Sequence, residues 1–120
     1  MKYTIDKTFI NKLARFYFPN DKWQKKELKA IFQYQDKYFK VYETVKYALN
    51  KIDPYSLCEI AGEDEMRYEF IDLTLRLLNI SLDKETIKKE VCNVLSKWFS
   101  ESDEEDCEKI SGIIINGIAR

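Results

Sequence analysis

"IDPYSLCEIAGEDEMRYEF", residues 52–70, puts a proline, a glycine and seven acidic or basic side chains into nineteen positions. Its reading decides the fold, because here the chain has to stop one element and begin another. Pro54 disfavours the right-handed helical conformation at Asp53, so a helix arriving from the N-terminal side ends near Lys51. Beyond the loop, Glu63, Asp64 and Glu65 precede an apolar series, Met66, Phe70, Leu73, Leu77 and Leu78, at helical spacing. Acidic groups in a first turn complement the unpaired N–H groups and the positive dipole end of a helix. The stretch therefore predicts a helix stop, a loop, and a helix whose first turn carries the Glu-Asp-Glu triplet.

The same periodicity extends in both directions. Towards the N-terminus, Leu28, Ile31, Phe32, Tyr38, Phe39, Tyr42, Val45 and Leu49 form a broad apolar stripe, which "QYQD" (33–36) leaves readable as one helix or two. Before it, Phe9, Leu13 and Phe16 or Tyr17 predict a further helix, with Asp6 or Thr8 as cap and "FPND" (18–21) as its stop. Towards the C-terminus, Ser81 or Asp83 caps a helix carrying Ile87, Val91, Leu95 and Trp98. Ser102 and Glu105 have the spacing of a capping box for a last helix with Cys107, Ile110, Ile114 and Ile118. Its Ile113–Ile115 run has β propensity, so a short terminal strand is the alternative.

Composition agrees with an α fold. Of 120 residues only three are glycine and two proline, too few for the turns of a β-sandwich, while 17 aromatic side chains supply core material. The length suits one domain. The expected architecture is all-α, a compact single-domain bundle of five to six helices. Basic, aromatic-rich helices are expected over residues 1–38.

The net charge of −1 conceals an asymmetry. Residues 1–51 carry 12 Lys/Arg against 5 Asp/Glu, a net of +7, and residues 52–120 carry 8 against 16, a net of −8. Such a division marks an interaction surface or, more plainly, two halves that compensate one another across one globule with solvated helix faces. No apolar run reaches the length of a membrane span, and the N-terminal residues are amphipathic and charged rather than a signal-type apolar core. The three cysteines, Cys58, Cys92 and Cys107, are scattered and form no C-x-x-C pair. Free thiols in a reducing cytoplasm are expected, with Cys92 and Cys107 as small core residues.

Most chemistry is excluded by residue type. The chain has no histidine, which removes Ser-His-Asp and Cys-His catalysis and every histidine-containing metal site. It has neither phosphate-cradling glycine motif nor the ligand spacing of a calcium loop, so the expectation is no catalytic residue, no metal and no cofactor. Nucleic acid is weighed on residues 22–51, where eight lysines alternate with Trp23, Phe32, Tyr34, Tyr38, Phe39, Tyr42 and Tyr47. It is disfavoured: the aromatics fall at core spacing, arginine is scarce there, and the sequence pI is 5.6.

Residues 49–70 also carry a likeness. "LNKIDPYSL" followed by "AGEDEMRYEF" resembles a small uncharacterised bacterial family, number 1871 among the domains of unknown function, through Asn50, Asp53, Pro54, Leu57, Asp64 and Glu65. Gly62 stands where that family often has proline, Met66 where it often has tyrosine, and Ile52 where an aromatic is common. The likeness covers roughly residues 40–120 and implies a helical fold, with no catalytic residue to carry over.

A catalytically bare helical chain with clustered carboxylates suits a protein-binding role. The leading expectation is an immunity- or antitoxin-type inhibitor that covers a basic, nuclease-like toxin with an acidic surface. The candidate contact residues are Glu59, Glu63, Asp64, Glu65, Tyr68 and Glu69, with Asp103, Glu104, Glu105 and Asp106 as a second patch. The plain reading of both patches is helix starts plus solubility. The rival function is a cytoplasmic adaptor or regulatory module with no toxin partner, possible as a homodimer through its aromatic helices. The oligomeric state is left open.

Overall fold

In the computed structural model, which describes residues 22–80 and 82–118, the apolar stripes read from the sequence become helices packed around one core. Six follow in order: α1 Lys22–Tyr34, α2 Asp36–Ile52, α3 Leu57–Ala61, α4 Arg67–Leu77, α5 Lys84–Phe99 and α6 Glu104–Ile118. Every described residue outside them is turn, bend or irregular, so the described chain is all-helical. The sequence-predicted helix around Phe9–Tyr17 and its caps, the stop at 18–21, and the alternative cap Ser81 lie outside the described residues.

Helices α2, α4, α5 and α6 form a ring in which α2 packs on α4 and α6, and α5 packs on the same two. Their inward stripes supply the core: Tyr38, Val41, Val45 and Leu49; Phe70, Leu73 and Leu77; Ile87, Val91 and Leu95; Cys107, Ile110 and Ile114. The predicted series Met66, Phe70, Leu73, Leu77 and Leu78 is buried throughout. Helix α1 lies along the edge between α2 and α4. The Ile113–Ile115 run is helical, because the 3- and 4-residue spacing of Cys107, Ile110 and Ile114 outweighs local β propensity. Near the end of α6 the backbone approaches α2 so closely that a Cβ on Gly117 would stand 2.6 Å from Thr44 Cγ2, so only glycine fits without movement.

The junctions explain where the helices break. "QYQD" does divide the long stripe: Gln35, at φ 51°, turns the chain between α1 and α2. This conformation is costly for a residue with a Cβ. It is held on one side by Tyr34, whose hydroxyl donates to the Asn79 side chain, and on the other by Tyr38, which donates to Glu27 Oε2 at 2.6 Å. The stop predicted near Lys51 falls at Ile52, with Asp53 in the left-handed region and its N–H on the Leu49 carbonyl.

Two predicted helix starts are corrected. Glu63, Asp64 and Glu65 are not in a first turn: they form the turn before α4, which begins at Arg67 with Glu69 as its first-turn acid. Met66 is 1% exposed, and its descent into the core sets where the helix can begin. At α6 the cap is Asp103 rather than Ser102: Asp103 Oδ1 accepts from the Asp106 N–H at 3.1 Å. The one-residue shift puts Glu104, Glu105 and Asp106 all in the first turn, where the helix dipole favours them. At α5, Asp83 is the cap, accepting from Thr86 N at 2.9 Å.

Candidate functional site

Asp53, which precedes the proline of the opening stretch, does more than stop a helix. The Asp53 carboxylate reaches forward, accepting from Cys58 N at 3.0 Å with one oxygen and from Glu59 N at 3.1 Å with the other. Asp53 thus ends α2 with its backbone and starts α3, a five-residue helix, with its side chain. The turn after α3 is tied back to α2: Asn50 Nδ2 donates to the Glu63 carbonyl at 2.9 Å, and Lys46 Nζ lies 2.9 Å from Asp64 and 3.8 Å from Glu63. The hydrogen bond that Lys46 donates to Asp64 holds its ammonium above the ordinary lysine range. Asn50, Asp53 and Asp64 therefore have structural work of their own.

Tyr55 brings the second acidic run to the same place. Its ring stacks on Phe99 at 4.0 Å, and its hydroxyl donates to the Glu101 carbonyl at 2.6 Å. The turn after α2 is thereby pinned to the loop between α5 and α6. Both acidic segments, 45 positions apart between Glu59 and Glu104, sit at one end of the bundle, here called the acidic pole.

The candidate residues divide sharply by what they do there. Glu59 and Glu65 are exposed and form no ion pair among the described residues. Glu63 and Asp64 are exposed but engaged with Lys46. Tyr68 keeps 38% of its surface exposed. Glu69 faces inward, at 9% exposure, and burial, followed by repulsion from Glu65 and Asp72, raises its carboxyl above the usual range. It is no part of an exposed surface. In the second patch Asp103 is a cap, Glu104 meets Lys88 at 3.1 Å, and Glu105 meets Lys109 at 3.1 Å. Asp106 is half-buried. Lys84 and Lys88 also reach Glu108, at 2.5 and 3.2 Å, and Lys84 in particular holds that carboxyl below the ordinary range.

Sequence reasoning missed Ile60. It lies on α3 beside Glu59 and is 78% exposed, the most exposed large apolar side chain of the described chain. The available signal was an isoleucine in a short charged segment whose only apolar neighbour three or four positions away is Leu57, with Ser56, Glu63 and Asp64 at the other three. Tyr47, 58% exposed, is the next. It borders an open depression of about 530 Å³ lined also by Glu43, Lys46, Asn50, Lys51 and Glu63.

The aromatics weighed for base stacking are mostly committed elsewhere. Tyr38 and Tyr42 are buried, and Tyr42 meets Phe70 edge-on. Trp23 packs on Trp98 at 5.6 Å, with Lys97 and Lys26 over its ring at 4.9 and 4.7 Å.

Two interior carboxylates were also invisible to pattern reading. Glu27 accepts from Tyr38 and from Arg67 Nη2, each at 2.6 Å, joining α1, α2 and α4. Burial, then Glu27, pushes the Tyr38 hydroxyl far above its ordinary range, so it remains a donor. Asp72 accepts from Arg76 Nε and Trp98 Nε1, both at 2.9 Å, and from Lys97 Nζ at 3.4 Å. Burial raises its carboxyl, but the hydrogen bonds from Trp98 and Arg76 outweigh that and hold it below the ordinary range.

Among the described residues no group of three Cys, Asp or Glu is arranged to hold a metal ion, and no helix is long and apolar enough to cross a membrane. The chain matches no family model, no curated protein and no solved structure.

Proposed function

We propose that this chain is a non-catalytic protein-binding module that covers a basic partner with its acidic pole, the nuclease-like toxin of an immunity pair being the partner class it fits best. The observation that carries the reading is the position of Ile60. A large apolar side chain that projects from a rim of carboxylates has the form of an interface anchor, desolvated on binding, with charges around it that steer a basic surface into place. Glu59 and Glu65 supply charge not already spent on intramolecular pairs. Tyr47 and its depression offer a second contact beside the pole.

The test is affinity capture with the full chain from native cell extract in moderate salt, followed by kinetics on what is retained. The expected partner is basic, loses its nuclease or toxic activity when the chain is added in equal amount, and associates more slowly as salt rises. Replacing Ile60 by Asp together with Glu59→Lys and Glu65→Lys should leave the melting curve nearly unchanged, because all three side chains are exposed. The same variant should slow association and speed dissociation. An acidic partner, a partner whose activity is unaffected, or unchanged kinetics for the triple variant would discard the inhibitor reading and leave the adaptor.

A further inference from the structure

We propose that Cys92 and Cys107 are a reversible redox pair, closing to an intramolecular disulfide that staples α5 to α6 beneath the acidic pole when a peroxide-class oxidant is present. In sequence the two are fifteen positions apart with nothing to couple them. In the fold α5 and α6 lie side by side, and Cys92 and Cys107 fall along their seam between the Lys88–Glu108 ion pair and the Ser96–Ser102 hydrogen bond, near enough for the thiols to influence one another. The seam is fixed around them: Lys84 and Lys88 bridge to Glu108, and Ser96 donates to Ser102.

The two thiols differ in access, which orders the chemistry. Cys92 is half-buried and lines an open cavity of about 370 Å³ with Glu85, Lys88, Lys89, Asn93, Ser102 and Glu104. A small oxidant can enter there and reach the Cys92 sulfur. Cys107 is fully buried, and burial together with the Cys92 contact pushes its thiol up to about 12, so it stays protonated and out of reach of direct oxidation.

The Cys92 thiolate attacks the O–O bond of a peroxide. An S–O bond forms, the sulfur is oxidised by two electrons to a sulfenic acid, and the other oxygen leaves as water or an alcohol after taking up a proton. Cys107 then attacks the Cys92 sulfur: the S–S bond forms, the S–O bond breaks, and water leaves with the Cys107 proton. Per disulfide, two thiols and one peroxide give two molecules of water or, from an alkyl peroxide, one each of water and alcohol. A dithiol reverses the change by exchange. This inference is independent of the partner-binding reading, since it needs only the chain and the oxidant.

The experiment uses the full chain with Cys58→Ser, treated natively with hydrogen peroxide, then unfolded, alkylated and digested. The expected result is loss of both remaining thiols, a tryptic species joining peptides 90–97 and 98–109, recovery of both thiols with dithiothreitol, and a higher Tm for the oxidised form. With Cys107→Ser added, dimedone labelling of Cys92 should rise severalfold, because the sulfenic acid has lost its resolving thiol. Should that variant fail to fold, the Cys58→Ser chain decides alone. Over-oxidation of Cys92 with Cys107 still alkylatable, a link only between chains, or two unreacted thiols would overturn the proposal.

Discussion

The acidic pole and the interior of α4 both hold carboxylates, and they hold them on opposite terms. At the pole Glu59, Glu63, Asp64 and Glu65 are exposed to water, where a surface ion pair such as Lys46–Asp64 contributes roughly 0–1 kcal/mol. Inside, Glu69 and Asp72 stand three positions apart on α4, both nearly closed to solvent, at 9% and 5% exposure. Burial acts alike on the two. Asp72 has three donors to offset it and stays ionised; Glu69 has no ion pair among the described residues and is driven towards protonation. What sets a carboxylate's role here is its donors, not its density in the sequence.

The largest effect expected from that contrast is at Asp72. Asp72→Ala leaves Arg76, Lys97 and the Trp98 N–H without their common acceptor. Removing one member of a buried charge network typically costs 3–5 kcal/mol. Arg76 and Lys97 keep 30% and 49% of their side-chain surface exposed and can turn to water, so the expected loss is about 3 kcal/mol, at the lower edge of that range. Urea unfolding measures it, and a loss below about 1 kcal/mol would put Asp72 with the exposed acids.

The next effect has the opposite sign. Glu69→Gln removes a poorly compensated charge and is expected to stabilise the protein at pH 7 by about 1 kcal/mol, the low end of what such a buried group costs. Because the folded-state carboxyl is raised, its protonation favours the fold in acid, and that contribution fades as pH rises through the folded value. The advantage of Glu69→Gln should therefore vanish as pH is lowered through the carboxylate range. Asp72 runs the other way: its folded value is lowered, so its stabilisation is present above the ordinary carboxylate range and is lost as pH falls through the folded value. Melting curves of Glu69→Gln and Asp72→Asn against the parent, taken from neutral pH into acid, should converge on it from opposite sides.

This division marks how far the sequence could be read. Helical stripes were legible because burial repeats every three or four residues, and Met66 to Leu78 or Ile87 to Leu95 needed nothing else. The stop at Asp53–Pro54 was legible from proline sterics. Its second half was not, since the bonds from Cys58 and Glu59 to the Asp53 carboxylate depend on a chain reversal no period encodes. Glu27 and Asp72 could not be read as interior groups because their partners, Arg67 and Trp98, lie 40 and 26 positions away. The acidic residues were legible one by one, but their meeting at one pole depends on Tyr55 reaching Glu101, and Ile60 matters only because nothing covers it.

The smallest effect separates the two acidic runs from each other. Glu63, Asp64 and Glu65 precede α4 by at least one residue, whereas Glu104, Glu105 and Asp106 occupy the first turn of α6. A charge in a first turn gains roughly 0.3–1 kcal/mol from the helix dipole, and that interaction falls off within the turn. Glu104→Gln, Glu105→Gln and Asp106→Asn together should therefore cost about 1–2 kcal/mol at low salt, shared between the dipole and the lost bridges to Lys88 and Lys109. Glu63→Gln, Asp64→Asn and Glu65→Gln together should cost under about 1 kcal/mol, the value of the Lys46 pair alone. Both losses should shrink in high salt, the first by more. Equal losses would mean that Glu63–Glu65 act on α4 as first-turn acids after all. The difference matters for the pole: acids that contribute little to folding are the ones free to face a partner.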